Sequence, residues 1–119
     1  MAGFKIDKQV FGAVEQASSQ LLSNSVSGLM GLAFQTISTS GAKPFWQSLV
    51  EGGSWTQPLM SFVLTRYANV TAASNQEPGG LFTMGYLNTS YYTGDVEYHA
   101  LKSETYWVIS MSGKASILR

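Results

Sequence analysis

The chain has 119 residues, seven Lys and Arg against seven Asp and Glu, a formal net charge of zero and only 12% charged residues. That balance excludes a nucleic-acid backbone partner, which needs clustered Lys and Arg, and leaves no charge run for a membrane surface. With no cysteine, disulfides and thiol chemistry are excluded, and a single histidine argues against a metal site.

The length is that of one modest domain. No apolar run is long enough to span a bilayer. Met1-Ala2-Gly3-Phe4-Lys5 has no apolar stretch behind a basic start, so no signal peptide is expected.

Taken in order, residues 3–6 and 9–16 read as short strands joined at Asp7-Lys8, with Phe11 and Ala13 on one face and Val10 and Val14 on the other. Residues 17–24 are rich in Ser, Gln and Asn and read as a loop or a poor short helix. Residues 25–38 are an apolar run bounded by turn residues, the pattern of a buried strand, and they carry Gly28 and Gly31. Glycine inside a strand lets another backbone come close or makes a sharp bend. Ser38-Thr39-Ser40-Gly41 breaks the pattern.

Residues 44–51 give the one helix. Pro44 suits its first position, Phe45 with Leu49 and Trp46 with Val50 are spaced to share faces, and Gly52-Gly53 ends it. Residues 60–67 read as a strand with Met60, Phe62 and Leu64 on one side, and residues 81–86 as a second with Phe82, Met84 and Tyr86 on one side. The polar stretch between them ends in Pro78-Gly79-Gly80, a hairpin connection. Residues 95–100 alternate, with Val96, Tyr98 and Ala100 inward, and residues 106–111 alternate too. Many short strands with one short helix predict a mainly β protein.

The order of residues in the central stretch carries more than its periodicity. Gly28-Leu29-Met30-Gly31-Leu32-Ala33-Phe34, continued by Ile37-Ser38, resembles the strand that lies beside a catalytic loop in the pepsin-like aspartic proteases. Gln9-Val10-Phe11-Gly12, Pro44-Phe45-Trp46, Pro78-Gly79-Gly80, Tyr91-Tyr92-Thr93-Gly94 and Tyr106-Trp107 follow the family's order at plausible spacing. The resemblance covers nearly the whole chain, while the chain covers about the middle third of the family's usual length. It implies a partial pepsin-like bilobal fold. Residues 1–75 would close the N-terminal lobe and include the first strand of the inter-lobe hairpin, residues 76–111 would begin the C-terminal lobe, and residues 112–119 diverge from the pattern.

Pepsin-like enzymes hydrolyse peptide bonds with two aspartates, each in Asp-Thr-Gly or Asp-Ser-Gly, that share one proton and activate a water. Neither triplet is present. Asp7 is followed by Lys8 and Asp95 by Val96, and both read as solvated turn residues. Thr39-Ser40-Gly41 and Tyr92-Thr93-Gly94 hold Thr and Tyr where a carboxylate is needed. The sequence thus assigns no catalytic residue. By resemblance, Val26 and Leu29 line the pocket for the substrate residue before the cut, Ile37 and Tyr92 line the side after it, and Gly31 is structural, allowing close approach of an aspartate loop. The plainer alternative makes all four wall residues ordinary core or strand residues.

His99 lies on a polar face beside Glu97 and reads as solvated rather than as a base or ligand. Asn69-Val70-Thr71 and Asn88-Thr89-Ser90 fit the N-glycosylation pattern, the first within the hairpin loop. The family is mostly secreted or vacuolar, so the missing signal peptide points to a missing N-terminus. The sequence therefore predicts a fragment of an aspartic endopeptidase acting on peptide or protein substrates, inactive by itself. The rival readings are a non-enzymatic β module that binds peptides or a full-length relative, and an independent small β domain.

Overall fold

A seven-residue helix, α1 (Phe45–Glu51), follows Pro44 in the computed structural model, which describes residues 1–18, 26–72, 74, 77–111 and 113. The Pro44 carbonyl accepts the Ser48 N–H at 3.1 Å. The proline therefore caps the helix one position outside it, where its missing N–H also costs nothing. At the other end the Gly53 N–H bonds the Val50 carbonyl at 3.0 Å and the Ser54 N–H bonds the Leu49 carbonyl at 2.9 Å. This pair of bonds is a Schellman motif, and it places Gly53 in the left-handed region at φ +67°. The apolar spacing seen in the sequence has its effect here: Leu49 is fully buried and Trp46 is buried.

The two strands on either side of Pro78-Gly79-Gly80 pair as expected. β1 (Met60–Leu64) and β2 (Gly80–Met84) form a two-stranded antiparallel sheet with Met60 opposite Met84, Phe62 opposite Phe82 and Leu64 opposite Gly80. The Phe62 and Phe82 rings stack at 4.6 Å. Gly80 has φ +131°, and the Thr65 N–H reaches the Gly79 carbonyl at 3.0 Å. The other face of the ladder carries Thr83, 2% exposed. Its hydroxyl donates to the Tyr86 carbonyl at 2.9 Å and lies 2.6 Å from the Ser61 hydroxyl. With its one proton spent on Tyr86, Thr83 accepts from Ser61, and the buried polar atom is satisfied.

The chain divides into two compact units. One comprises Met1–Phe4 and Leu49–Val96, and holds the hairpin. Its buried apolar residues are Leu49, Trp55 and Met84, with the Phe4 ring 6.2 Å from that of Trp55. The Trp55 indole N–H is buried and has no partner among the described residues. A short 3-10 helix at Thr89–Tyr91 is capped by Asn88, whose Oδ1 accepts the Ser90 N–H at 3.1 Å.

The other unit comprises Lys5–Ser48 and the chain from Glu97 on. Its centre is aromatic. The Phe34 ring lies 5.4 Å from Trp46 and 4.8 Å from Trp107, and the two indoles are 5.7 Å apart. Such pairs add about 0.5–1.5 kcal/mol each beyond area burial. A 3-10 helix at Gln35–Ile37 follows Phe34.

Several predicted strands do not form. Residues 3–6, 9–16, 95–100 and 106–111 are irregular, and the described part of the central stretch, residues 26–38, is irregular apart from the 3-10 helix. The two strands that do form are also shorter than read, by residues 65–67 and residues 85–86. Alternation records which side chains seek burial, but a strand exists only when a neighbour takes its N–H and C=O groups. Val10, Phe11, Val14, Val96 and Tyr98 are accordingly exposed. Most of the predicted loop at 17–24, and residues 112–119 except Gly113, lie outside the described residues. The described architecture is a two-stranded antiparallel sheet with little helix, consistent with a mainly β fragment.

Candidate functional site

Within the second unit the irregular path of residues 9–14, 27–38 and 40–45 encloses an open groove of about 990 Å³. Leu29 and Met30 line it from the central stretch, Phe11 and Val14 from the N-terminal segment, and Phe34 and Ile37 from around the 3-10 helix. Gln9 ties two of these segments together, its side-chain amide donating to the Lys43 carbonyl at 2.9 Å. Leu29 is 71% exposed, so the groove presents apolar side chains to solvent rather than closing over them.

The predicted wall residues divide. Leu29 and Ile37 line the same groove, together with Gly31. A Cβ added at Gly31 would meet nothing within 4 Å. Val26 is half-exposed and outside the lining. Tyr92 belongs to the other unit, where it follows the Thr89–Tyr91 3-10 helix and is partly exposed. Sequence reasoning assigned no wall role to Phe11, Met30 or Phe34, although all three stand in the segments that carried the resemblance. The available signal was adjacency to glycine for two of them, Phe11 beside Gly12 and Met30 beside Gly31.

Among the described residues no carboxylate lines the groove. Asp7 is exposed and pairs with Lys5 at 2.6 Å, and His99 is exposed with Nε2 3.4 Å from Glu97. Asp95 is exposed too. The described residues contain no group of three or more His, Asp or Glu able to hold a metal, and no helix long and apolar enough to cross a membrane. Asn69 is exposed within a turn closed by the Val70 N–H on the Tyr67 carbonyl at 3.0 Å, whereas Asn88 is half-buried. The groove exposes apolar side chains and, among the described residues, holds no carboxylate in its lining.

Comparison with known proteins agrees with the sequence pattern. A model of the eukaryotic aspartyl proteases matches residues 1–116. Major aspartyl peptidase 1 of Cryptococcus neoformans var. grubii is 45% identical over 114 residues, 93% of this chain and 23% of the relative. Cathepsin D of Clupea harengus is 31% identical over 109 residues, 91% of this chain and 26% of the relative. Pepsin A of Sus scrofa is 32% identical over 112 residues, 93% of this chain and 27% of the relative. The chain thus spans about a quarter of the length of the curated relatives it matches. On the match over nearly its full length, the chain belongs to the eukaryotic aspartyl protease family.

Proposed function

We propose that the chain is a segment of a pepsin-like aspartic endopeptidase, and that it supplies substrate-binding wall but not catalysis. The observation that carries this reading is an apolar groove, built by family-matched residues, with no carboxylate in its described lining. In the whole enzyme two aspartates outside this segment share a proton. One takes a proton from the intervening water as its oxygen attacks the peptide carbonyl, the other gives its proton to the carbonyl oxygen, and the tetrahedral intermediate then collapses with cleavage of the C–N bond as the leaving amine takes a proton from the dyad. That chemistry takes no metal and no cofactor, and its substrates are peptides or proteins.

In this reading Leu29 and Val26 face the residue before the cut, Ile37 and Tyr92 face the residues after it, and Gly31 gives an aspartate loop room to pass. Residues 1–75 complete the N-terminal lobe and residues 76–111 open the C-terminal lobe. The parent enzyme is secreted or vacuolar, and Asn69 and Asn88 are its glycosylation candidates within the segment.

The test uses the purified 119-residue chain and a graft. The chain alone is expected to leave unfolded protein intact from about pH 2 to about pH 6, the range of a carboxylate dyad. Residues 1–116 placed in the Cryptococcus neoformans relative, in place of its matching segment, are expected to support cleavage that pepstatin blocks. Pepstatin-sensitive cleavage by the chain alone overturns the reading. A dead graft, with peptide binding by the isolated chain, replaces it with the non-enzymatic β module.

A further inference from the structure

Residues 32–37 are held from two distant parts of the sequence at once. The Trp107 indole N–H donates to the Leu32 carbonyl at 2.7 Å, and the Trp46 indole N–H donates to the Ala33 carbonyl at 3.0 Å. The Phe34 N–H reaches the Thr105 carbonyl at 3.4 Å, and the Thr36 hydroxyl donates to the Glu104 carbonyl at 2.6 Å. The Gln35 N–H, at the start of the 3-10 helix, bonds the Gln47 side chain at 3.2 Å.

Two consecutive carbonyls in an irregular segment would otherwise need a strand partner or water. Here both are taken by indoles whose rings pack on Phe34, the next residue along, and on each other. Phe34 also lines the groove, as do Ala33 and Ile37. The indoles therefore control a stretch of backbone that carries three wall residues, and neither indole lines the groove itself.

We propose that Trp46 and Trp107 form a clamp that positions the Phe34 and Ile37 wall of the groove and so sets the size of apolar substrate side chain the parent enzyme accepts. The proposal rests on reading the groove as substrate wall. The clamp acts through backbone, so its loss changes the ratio of kcat/KM values between substrates, while the pH profile set by the aspartate dyad stays in place. A residue that merely held the fold together would lower all substrates alike.

The experiment uses the grafted full-length enzyme and three variants: Trp107→Phe, Thr36→Val and Leu29→Ala. Amide hydrogen exchange over residues 32–37 and kcat/KM for a matched series of peptides with small and large apolar residues at the cut are measured for each. Trp107→Phe removes one indole N–H and keeps an aromatic ring at a half-exposed position. It is expected to speed exchange over residues 32–37 and to shift the large-to-small preference by about tenfold, comparable to a change of one methylene in a pocket. Thr36→Val keeps the side-chain shape and removes the hydroxyl bond that ties the same stretch to the Glu104 carbonyl beside Trp107, and is expected to shift both readouts less, in the same direction. It serves if Trp107→Phe does not fold. Unchanged exchange in the folded variants overturns the clamp. Faster exchange with an unchanged preference, where Leu29→Ala does shift preference, overturns the positioning role and leaves the groove reading standing. No shift in any variant, Leu29→Ala included, overturns the groove reading and the proposal with it.

Discussion

Phe62 lies flat against Phe82 across the hairpin, the ring planes within 11° of parallel, yet Phe62 is 52% exposed. Its neighbour along the strand, Leu64, is 81% exposed. The stack contributes about 0.5–1.5 kcal/mol to the hairpin and covers only one side of each ring. The free sides form an apolar face on a sheet of two strands, where each strand keeps an unpaired edge among the described residues. Open edges beside apolar faces promote pairing with other chains. The isolated chain is expected to self-associate, and Phe62→Lys to reduce that association. Sedimentation velocity at several concentrations checks both. A monomer at all concentrations would show that the face is harmless.

Gly80 cannot carry a side chain. A Cβ there would fall 1.8 Å from the Val63 carbonyl oxygen, and φ +131° is a conformation that L side chains rarely adopt. Neither atom can yield, because Val63 and Gly80 belong to adjoining ladder positions. Gly80→Ala in the grafted enzyme is expected to cost more than about 4 kcal/mol, a size reserved for such collisions. Gly79→Ala, with nothing within 4 Å of the new methyl, is expected to stay within about 0.5 kcal/mol. Differential scanning calorimetry of the two variants decides the matter, and equal melting temperatures would contradict the hairpin geometry.

Gly53 presents a milder case. A Cβ would meet nothing within 4 Å, so the only penalty for Gly53→Ala is the left-handed backbone of the Schellman cap. The expected loss is about 1–2 kcal/mol in urea unfolding. A neutral result would mean that the helix end rearranges without cost.

Leu29 and Val26 are expected to differ in their effect on cleavage. Leu29 lines the groove and Val26 does not. Enlarging Leu29 to Phe is expected to change the preferred residue before the cut by about tenfold or more. Val26→Phe is expected to change it less. Profiling cleaved peptide libraries with the two grafted variants measures the difference, and a larger effect at Val26 would move the wall away from the groove described above.

For the two glycosylation triplets, the fold favours the first. Asn69 is exposed, while Asn88 is half-buried with its Oδ1 engaged by the Ser90 N–H. When the chain is directed into a secretory host by an added leader, Asn69→Gln is expected to abolish a glycosidase-sensitive mobility shift that Asn88→Gln leaves in place. The opposite pattern would show that exposure at Asn69 does not decide the modification.

The elements legible in the sequence were those with a turn signal beside them. The helix after Pro44 closes its hydrogen bonds locally, the strands of the hairpin pair residues as far apart as Met60 and Met84, and Gly53 and Gly80 mark the helix end and the start of the second strand with conformations that glycine alone adopts easily. The strands read at residues 9–16, 95–100 and 106–111 needed distant partners, which periodicity cannot supply. Leu29 and Ile37, which the resemblance named as wall residues, both line the groove. The bonds of Trp46 and Trp107 were not legible, since an indole N–H shows nothing in the sequence about which carbonyl it will meet. The nearness of Trp107 to Leu32 spans 75 positions, and only the fold brings it about.

The indole clamp also makes the segment its own optical gauge. Trp46 and Trp107 are two of the chain's three tryptophans, one buried and one half-exposed, with ring centres 5.7 Å apart. Transition dipoles that close exchange excitation, and their coupling falls steeply with distance. Opening of the clamp would register in the ultraviolet emission and dichroism of the native chain, with no label attached.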